Sequence, residues 1–380
     1  MLKRRTVLAA AAAAAAAPGL PVAALPARPL VFPRDFGAHP DLRTEWWYVT
    51  GDAVQRRAGA GGPAQAAERA FGFQLTFFRT RVDAAQSLQS RFAARQLIFA
   101  HAAITDVQGQ KLWHDQRIAR EGFGQAFASV QDTDLKLGDW TLQRKPGPEK
   151  DPETGANSGT YRARLPARDF SLALDFTPTQ PLILQGQAGL SRKGPEERQA
   201  SYYYSKPQLA TRGQLTLKGQ RFDIMGTAWL DHEWSEELLH PDARGWDWIG
   251  MNLDDGSALT AFQLRNAAGG AVWDGGSFRP APGQGSPGTL FTFSRGDVQF
   301  KPVRFWTSPL TQARYPVEWI IRTPGDAYTV KAVIDNQELD SRQSTGAVYW
   351  EGLSDLIDSH GQQVGRGYLE MTGYVSPLRL

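Results

Sequence analysis

Apolar and polar residues alternate along most of this chain. Phe71, Phe73, Leu75 and Phe77 are separated by single residues, and the same two-residue period recurs over residues 170–176. This period is typical of β-strands that bury one face and expose the other. Short segments rich in glycine, aspartate and proline separate the runs, as expected for tight turns. The pattern predicts a mainly β chain of many short antiparallel strands.

Helical periodicity is scarce beyond the N-terminal segment. The clearest short candidate runs from Ser235 to Leu239, because a serine suited to helix capping is followed by two glutamates. The 38 glycines and 24 prolines also favour short strands joined by turns over long helices. We therefore expect few helices, all of them short.

The N-terminal segment has the composition of an export signal. Three basic residues at 3–5 precede an alanine tract over residues 9–17, and small residues near 22–24 mark the end of the segment. This order predicts a signal peptide over residues 1–24, and the paired arginines point to the twin-arginine route. The apolar run ends at Pro18, short of the ~20 residues that cross a bilayer. We expect a mature protein that is periplasmic or secreted and does not span the membrane.

Charge and cysteine content exclude several classes of protein. The formal net charge is +3, and Lys3, Arg4 and Arg5 supply three positive charges, so the mature chain is close to neutral. A neutral chain lacks the electrostatic footprint of a nucleic-acid-binding protein. The absence of cysteine excludes disulfides and a cysteine nucleophile.

The length and the number of strand-like runs predict two domains. The 380 residues suffice for two domains of ordinary size. We expect a lipocalin-like barrel over residues 30–205 and a second over residues 212–380, with the boundary near 205–212. A closed barrel hides its strand edges and has room for one small ligand. A single large sandwich is the competing architecture.

Two runs of residues place ionisable side chains directly beside tryptophans. Glu45 precedes Trp46 and Trp47, and residues 231–233 (Asp, His, Glu) lie between Trp229 and Trp234. A carboxyl group or imidazole against an indole is partly desolvated, so its pKa can move into a range that is useful for proton transfer. The alternative is that these runs form structural corners or a buried ion network in an aromatic core.

Strand geometry divides these residues between two faces. In a strand, Asp231 and Glu233 share one face while His232 takes the other. We favour Asp231 as a proton donor, with Glu233 or His232 positioning water. In the run 245–248, Trp246 and Trp248 share one face and Asp247 points to the opposite side.

Several catalytic and cofactor-binding patterns are missing from the sequence. No His-Glu-x-x-His motif or cysteine pair is present, the six histidines are scattered, and adjacent strand residues such as those at 231–233 diverge. No Gly-x-Ser-x-Gly elbow and no glycine-rich phosphate loop is present either. We therefore expect no metal, no cofactor, and neither a serine hydrolase nor a metallohydrolase.

The chain resembles the AttH and hydroxyneurosporene synthase (CrtC-like) family over nearly all of its mature length. It is most similar to the secreted AttH-like branch. The motifs that carry the resemblance are His39 with Glu45 to Gly51, Phe71 to Arg79, Ala100 to Asp106, Leu184 to Gly186, Ser201 to Ser205, Trp229 to Trp234, Gly245 to Trp248, Tyr315 with Trp319, Tyr349 to Gly352, and Gly367 to Tyr374.

The resemblance implies two tandem lipocalin-like (calycin) barrels that handle apolar ligands. Carotenoid 1,2-hydratases of this family add water to the terminal double bond of an acyclic carotenoid without a cofactor, and other members rearrange polyenes. The secreted branch includes proteins encoded beside envelope ABC transporters. The family therefore implies a chemistry of apolar molecules and does not fix one reaction.

Two functions remain open from the sequence. The first is a periplasmic binding protein that holds a lipid or isoprenoid, with an envelope ABC transporter as partner. The second is a cofactor-free hydro-lyase or isomerase that protonates a polyene from a carboxylic acid. In a third, purely structural interpretation the tryptophans only fill the core. The candidate catalytic residues are Asp231, His232, Glu233 and Glu45, and the candidate ligand-contact residues are Trp46, Trp47, Trp229, Trp234, Trp246, Trp248 and Tyr203.

Overall fold

The computed structural model describes residues 24–56, 69–151, 155, 157–237, 239–283 and 289–378. Within these ranges the chain consists almost entirely of β-strands, with two single-turn 3-10 helices at Arg34–Phe36 and Asp83–Ala85. The prediction of a mainly β chain with few, short helices is confirmed. A helix long and apolar enough to cross a membrane is not found in these ranges.

Thirteen strands form the first antiparallel sheet. From edge to edge the order is β4-β3-β2-β1-β13-β12-β9-β8-β7-β6-β5, and β10 and β11 pair with β12. Strands β3 and β4 contact β5 and β6, so this sheet is nearly closed, like a barrel. Its strands are β1 (Thr44–Gln55), β2 (Ala70–Arg81), β3 (Gln96–Asp106), β4 (Lys111–Arg120), β5 (Ala126–Ala128), β6 (Asp134–Leu137), β7 (Trp140–Lys150), β8 (Asn157–Pro166), β9 (Phe170–Thr177), β10 (Ile183–Leu184), β11 (Leu190–Arg192), β12 (Ala200–Leu217) and β13 (Gln220–Ser235).

Ten strands form the second antiparallel sheet. Its order is β17-β16-β15-β14-β23-β22-β20-β19-β18, and β21 pairs with β22. The prediction of two successive antiparallel units is therefore confirmed. The strands are β14 (Gly245–Leu253), β15 (Ala258–Arg265), β16 (Ala271–Arg279), β17 (Phe291–Phe293), β18 (Gln299–Thr307), β19 (Arg314–Arg322), β20 (Ala327–Ala332), β21 (Glu338–Ser341), β22 (Ala347–Ile357) and β23 (Gln363–Met371).

Each sheet encloses its own apolar core, and a third apolar cluster lies between the sheets. The first core includes Trp47 and Val49 from β1, whereas Tyr48, one residue away, belongs to the cluster between the sheets. This division follows from the two-residue period of a strand, which sends neighbouring side chains to opposite faces. The residues of β1 that point away from the first core thus become the contact surface for the second sheet.

The change from the first to the second sheet falls between Ser235 and Gly245. The sequence places a domain boundary at residues 205–212, which lie inside β12. Strands β12 and β13 look like the start of a new unit because they follow a polar connection. The pairing partner of β13 is distant in sequence, however: the whole of β1 pairs with residues 224–235 of β13, and Thr44 lies opposite Ser235.

The predicted helix from Ser235 to Leu239 is wrong. Ser235 is the last residue of β13, and its hydroxyl donates to the Ala200 carbonyl (2.7 Å) instead of capping a helix. The described residues between 236 and 239 are not helical. Pairing with two neighbouring strands overrides the weak capping signal here. The predicted signal peptide, apart from Ala24, lies outside the described residues.

Candidate active site

A cavity of about 660 Å³ lies between the two sheets. Strands β1, β2, β3, β4, β12 and β13 of the first sheet line one side, and β14, β15, β22 and β23 of the second sheet line the other. This volume is typical of a small-molecule site, and so is a mostly apolar wall with a few polar groups. The aromatic residues that line it are Trp46, Tyr48, Phe78, Phe99, Tyr203, Trp246, Trp248, Phe262 and Tyr349.

The cavity is built from the outer face of the first sheet. The expected ligand space inside a single barrel is not where the cavity lies, because side chains such as Trp47, Phe73 and Trp140 fill the interior of the first sheet. Across the interface, the Trp46 and Trp246 rings stack at 6.4 Å, and the Tyr48 ring meets Trp248 edge-on at 5.3 Å. The two sheets must therefore stay packed for the cavity to exist.

The candidate residues lie on the two strand faces expected from the two-residue period. Asp231 and Glu233 line the cavity, whereas His232 points into the first core. Trp246 and Trp248 line the cavity, and Asp247 points away from it. Of the remaining candidates, Trp46 and Tyr203 also line the cavity, and Trp229 lies buried beside Asp231. The other three, Glu45, Trp47 and Trp234, lie on the opposite face of their strands and point towards the first core.

Asp231 is a buried carboxyl group that accepts three hydrogen bonds. The Ser205 hydroxyl (2.5 Å) and the Trp229 indole N–H (2.7 Å) donate to Oδ1, and the Tyr203 hydroxyl (2.7 Å) donates to Oδ2. Burial raises the pKa of Asp231 to about 7, although these three donors oppose the rise. The group therefore changes its charge near neutral pH while remaining held in one orientation.

Two further carboxyl groups face the cavity from the second sheet. Glu351 on β22 lies directly opposite Glu370 on β23. Burial raises the pKa of Glu351 well above its ordinary range, and the charge of Glu370 raises it further. Burial also raises the pKa of Glu370 to about 8, and the nearby charges of Asp231 and Glu233 contribute to this rise. The pair therefore keeps at least one proton at neutral pH.

The Glu351 carboxyl group has one oxygen free to face a ligand. The side-chain amide of Gln74 donates to Oε2. Oε1 and the hydroxyl of Tyr48 are both buried, and neither makes a well-aligned hydrogen bond within the described ranges, although the Tyr48 hydroxyl lies near enough to Glu351 to oppose the rise of its pKa. Buried polar atoms without partners are uncommon, since each costs about 1–3 kcal/mol. A ligand or reacting water that meets these two atoms would satisfy both.

Glu233 differs from the other cavity carboxyl groups because a cation compensates its charge. Its Oε1 lies 3.0 Å from the Lys193 ammonium and accepts a hydrogen bond from the Ser201 hydroxyl (2.5 Å). The same ammonium lies over the rings of Tyr203 and Phe262. The charge of Glu233 contributes to the raised pKa values of Asp231 and Glu370.

His101 connects the buried end of the cavity with its opening. Its Nδ1 lies 2.7 Å from the Tyr349 hydroxyl, and its Nε2 lies 2.8 Å from the Ser344 hydroxyl. Ser344 donates to Gln116 (2.6 Å), so Nε2 carries the proton towards Ser344 and Nδ1 accepts from Tyr349. Burial lowers the pKa of His101 to about 3, which keeps the ring neutral.

Glu45 is the centre of a separate network in the first core. Its carboxylate accepts from His39 Nδ1 (2.7 Å), His232 Nε2 (2.9 Å) and Arg79 Nε (2.7 Å). Burial alone would raise the pKa of Glu45, but the bonds from the two histidines hold it well below its ordinary range. Burial lowers the pKa of His232 to about 4. This fully bonded carboxylate has no access to the cavity and acts as a structural ion.

The same three residues are the candidate metal ligands of the described ranges. The ligand-type atoms of His39, Glu45 and His232 lie within 4.8 Å of one another. The Arg79 guanidinium occupies the other carboxylate oxygen, and a positive charge there opposes binding of a divalent cation. We therefore assign the group to the structural network.

Four residues of the cavity were not predicted as site residues from the sequence: Glu351, Glu370, His101 and Tyr349. Glu351 could have been identified from the sequence. It directly follows Tyr349 and Trp350, and so, like Glu45, it is a carboxylate beside large aromatic residues. His101 is a single histidine in an apolar strand, which by itself indicates nothing. Its contact with Tyr349 joins residues 248 positions apart, and no local pattern shows such a pairing.

Comparison with known proteins places the chain in a family. The profile of AttH-like proteins matches residues 23–374. A crystal structure from Nitrosomonas europaea, assigned provisionally to AttH, is 47% identical, covers 93% of this chain and 99% of its own, and has a TM-score of 0.79. Kievitone hydratase from Nectria haematococca shares the fold at 14% identity, with a TM-score of 0.63 over 88% of this chain and 90% of its own. A search of curated proteins gives no match. The chain belongs to the AttH-like family.

Proposed function

We propose that this protein is a cofactor-free hydro-lyase that adds water to a carbon–carbon double bond of an apolar molecule bound between its two sheets. One observation carries the proposal. Glu351, whose pKa is raised by burial, lies in an aromatic cavity with one oxygen that makes no well-aligned hydrogen bond within the described ranges. A carboxylic acid kept neutral in this way can give its proton to carbon.

The reaction divides into two proton transfers. The Glu351 carboxylic acid protonates one alkene carbon, and the positive charge develops on the other carbon. The π faces of Trp46, Trp246 and Trp248 stabilise that charge. Water attacks the cation and gives a proton to Asp231, so that an alcohol forms and the enzyme regains its starting state when the proton returns to Glu351. Dehydration is the same sequence reversed.

Asp231 has the properties that the second step needs. A pKa of about 7 leaves a large fraction of the carboxylate free to accept a proton at neutral pH. Ser205, Tyr203 and Trp229 hold it in one orientation, and three bonds leave one acceptor position unfilled. The role differs from the sequence-based expectation, in which Asp231 is the acid, because Glu351 is the more strongly protonated group.

Binding without reaction is the second candidate function. The size and aromatic lining of the cavity are sufficient to hold a lipid or isoprenoid. A periplasmic location and a partnership with an envelope ABC transporter fit this function and remain predictions. A carrier has no need of a protonated acid with a free oxygen, and for this reason we place hydration first.

The test is a turnover assay with isoprenoid alkenes in deuterated water. We expect a product heavier by one water, with deuterium on the carbon that Glu351 protonates. Glu351→Gln should abolish turnover and still quench tryptophan fluorescence on ligand binding. The control is Glu196→Gln, since Glu196 is solvent-exposed and pairs with Arg198. Ligands that bind to the wild type without turnover, or turnover that survives in E351Q, would contradict hydration by this acid.

A further inference from the structure

An exposed aromatic patch borders the opening of the cavity. Phe92 is 66% exposed and Phe123 is 51% exposed, and their rings stack at 5.5 Å with 10° between the planes. Leu88, in the same β2–β3 connection as Phe92, is 49% exposed. We call these three residues the Phe92 patch. Single exposed apolar residues are ordinary on protein surfaces, but stacked exposed aromatics indicate a binding surface.

The patch is continuous with the cavity. Ile118 on β4 lines the cavity and is 45% exposed, so it lies at the opening. Arg120 is two residues further along the same face of β4, and its guanidinium lies 4.1 Å from the Phe123 ring centre and 5.5 Å from that of Phe92. Leu97, opposite Arg120 on β3, also lines the cavity. A surface that binds the patch therefore faces the cavity opening.

Three arginines give the patch a positive edge. Arg91 lies over the Phe123 ring at 6.0 Å, Arg95 donates to the Leu88 carbonyl at 2.6 Å, and Arg120 stacks as described above. None of the three forms an ion pair with a carboxylate in the described part of the chain. The nearby acids are Glu121, which is exposed, and Asp83, which pairs with Arg81.

We infer that the Phe92 patch docks the protein on lipid bilayers that carry anionic headgroups, with the cavity opening turned towards the lipid. Aromatic rings insert at the level of the headgroups, and the arginines contact phosphate. An apolar molecule dissolved in the bilayer then enters the cavity past Ile118 without crossing water. The inference does not depend on the reaction proposed above, because lipid binding is measured without substrate.

The experiment is flotation with lipid vesicles. We expect the wild type to float with vesicles of equal parts phosphatidylcholine and phosphatidylglycerol, to float less with phosphatidylcholine alone, and to detach at high salt. The double variant Phe92→Ser/Phe123→Ser should bind at least about tenfold less tightly. Arg91→Gln/Arg95→Gln should lose the preference for phosphatidylglycerol. The matched control is Phe291→Ser on β17, since Phe291 is 54% exposed and lies on the second sheet.

Three results would overturn the inference. The first is a wild type that fails to float with either vesicle. The second is F291S weakening flotation as much as the double variant does. The third is a lipid-free dimer, seen by light scattering, that the double variant converts to monomer, because the patch would then be a self-association surface. Circular dichroism of each variant shows whether it folds, and the exposed positions give no reason for unfolding.

Discussion

Glu351 and Glu370 lie directly opposite each other on the neighbouring strands β22 and β23, at the wall of an aromatic cavity. Two like charges at opposed positions of a sheet destabilise it. The fold avoids this cost at neutral pH by keeping a proton on the pair, since burial raises both pKa values and the charge of Glu370 raises that of Glu351 further. A proton stored in this way is what an acid catalyst needs, so the same arrangement weakens the sheet at high pH and supports chemistry at neutral pH.

Replacing Glu370 by glutamine should stabilise the protein at high pH. The folded-state pKa of about 8 lies above the ordinary value of 4.5, so the folded state binds the proton more tightly than the unfolded state does. The contribution of this group is complete below pH 4.5 and is lost as the pH rises towards 8. Glu370→Gln should therefore gain on the order of 2 kcal/mol over the wild type at pH 9 and much less at pH 5. Urea denaturation at both pH values measures the difference, and an equal gain at both would contradict the raised pKa.

The rate of hydration should have a bell-shaped dependence on pH. Asp231 must be ionised to accept a proton, so the rate rises as the pH passes about 7. The acid Glu351 must keep its proton, so the rate falls again at high pH, above the pKa of Glu351, which burial and the charge of Glu370 raise well above the ordinary range. A turnover profile that stays flat from pH 5 to pH 9 would contradict the role of Asp231.

Removing one donor to Asp231 should move the acidic limb of that profile. Tyr203→Phe deletes the hydroxyl that donates to Oδ2, so the pKa of Asp231 should rise and the limb should shift to higher pH. Tyr202→Phe is the matched control, because the Tyr202 hydroxyl donates to the Pro26 carbonyl (2.5 Å) instead. Equal profiles for the two variants would show that the Tyr203 bond does not set the pKa of Asp231.

The fold was predictable because it depends on a local signal. The alternation seen at Phe71, Phe73 and Leu75 reports directly which face of a strand is buried. The same signal separates Asp231 from His232 correctly, one towards the cavity and one towards the core.

The location of the site was not predictable, because it depends on how distant strands meet. In the sequence, Glu45 and Asp231 are equivalent acids near tryptophans. They lie on paired strands but on opposite faces, and only Asp231 reaches the cavity. The acids contributed by β22 and β23 become neighbours of Asp231 only after the second sheet packs on the first, which no single segment encodes.

The Tyr349–His101–Ser344 chain should exchange protons between the cavity and its opening. It runs from Tyr349, beside Glu351, to the half-buried Ser344 at the opening. Ser344→Ala breaks the chain near solvent, so we expect turnover to fall several-fold with ligand affinity unchanged and a larger solvent isotope effect. Ser171→Ala on β9 is a control remote from the cavity. A fall in affinity without a change in the isotope effect would indicate that Ser344 only shapes the opening.

Glu45→Gln should destabilise the fold and leave the cavity unchanged. The substitution leaves the Arg79 guanidinium buried without its charge partner, which costs about 3 kcal/mol or more. The control is Glu318→Gln, in a half-buried surface pair with Arg304, which should cost less than about 1 kcal/mol.

The pH dependence of stability has a definite sign, because the pKa of His232 falls from 6.5 to about 4 on folding. The unfolded chain therefore binds the proton first, so stability is lost as the pH falls below 6.5, and the lowered pKa of Glu45 extends the loss below 4.5.

Urea denaturation between pH 4 and pH 8 measures this network. We expect the contribution of His232 to disappear in His232→Gln, whose stability should vary less between pH 6.5 and pH 4 than that of the wild type. Ligand binding by folded Glu45→Gln should match the wild type, since Glu45 lies on the core face of β1. A variant that folds normally but no longer binds ligand would show that the ion network also shapes the cavity.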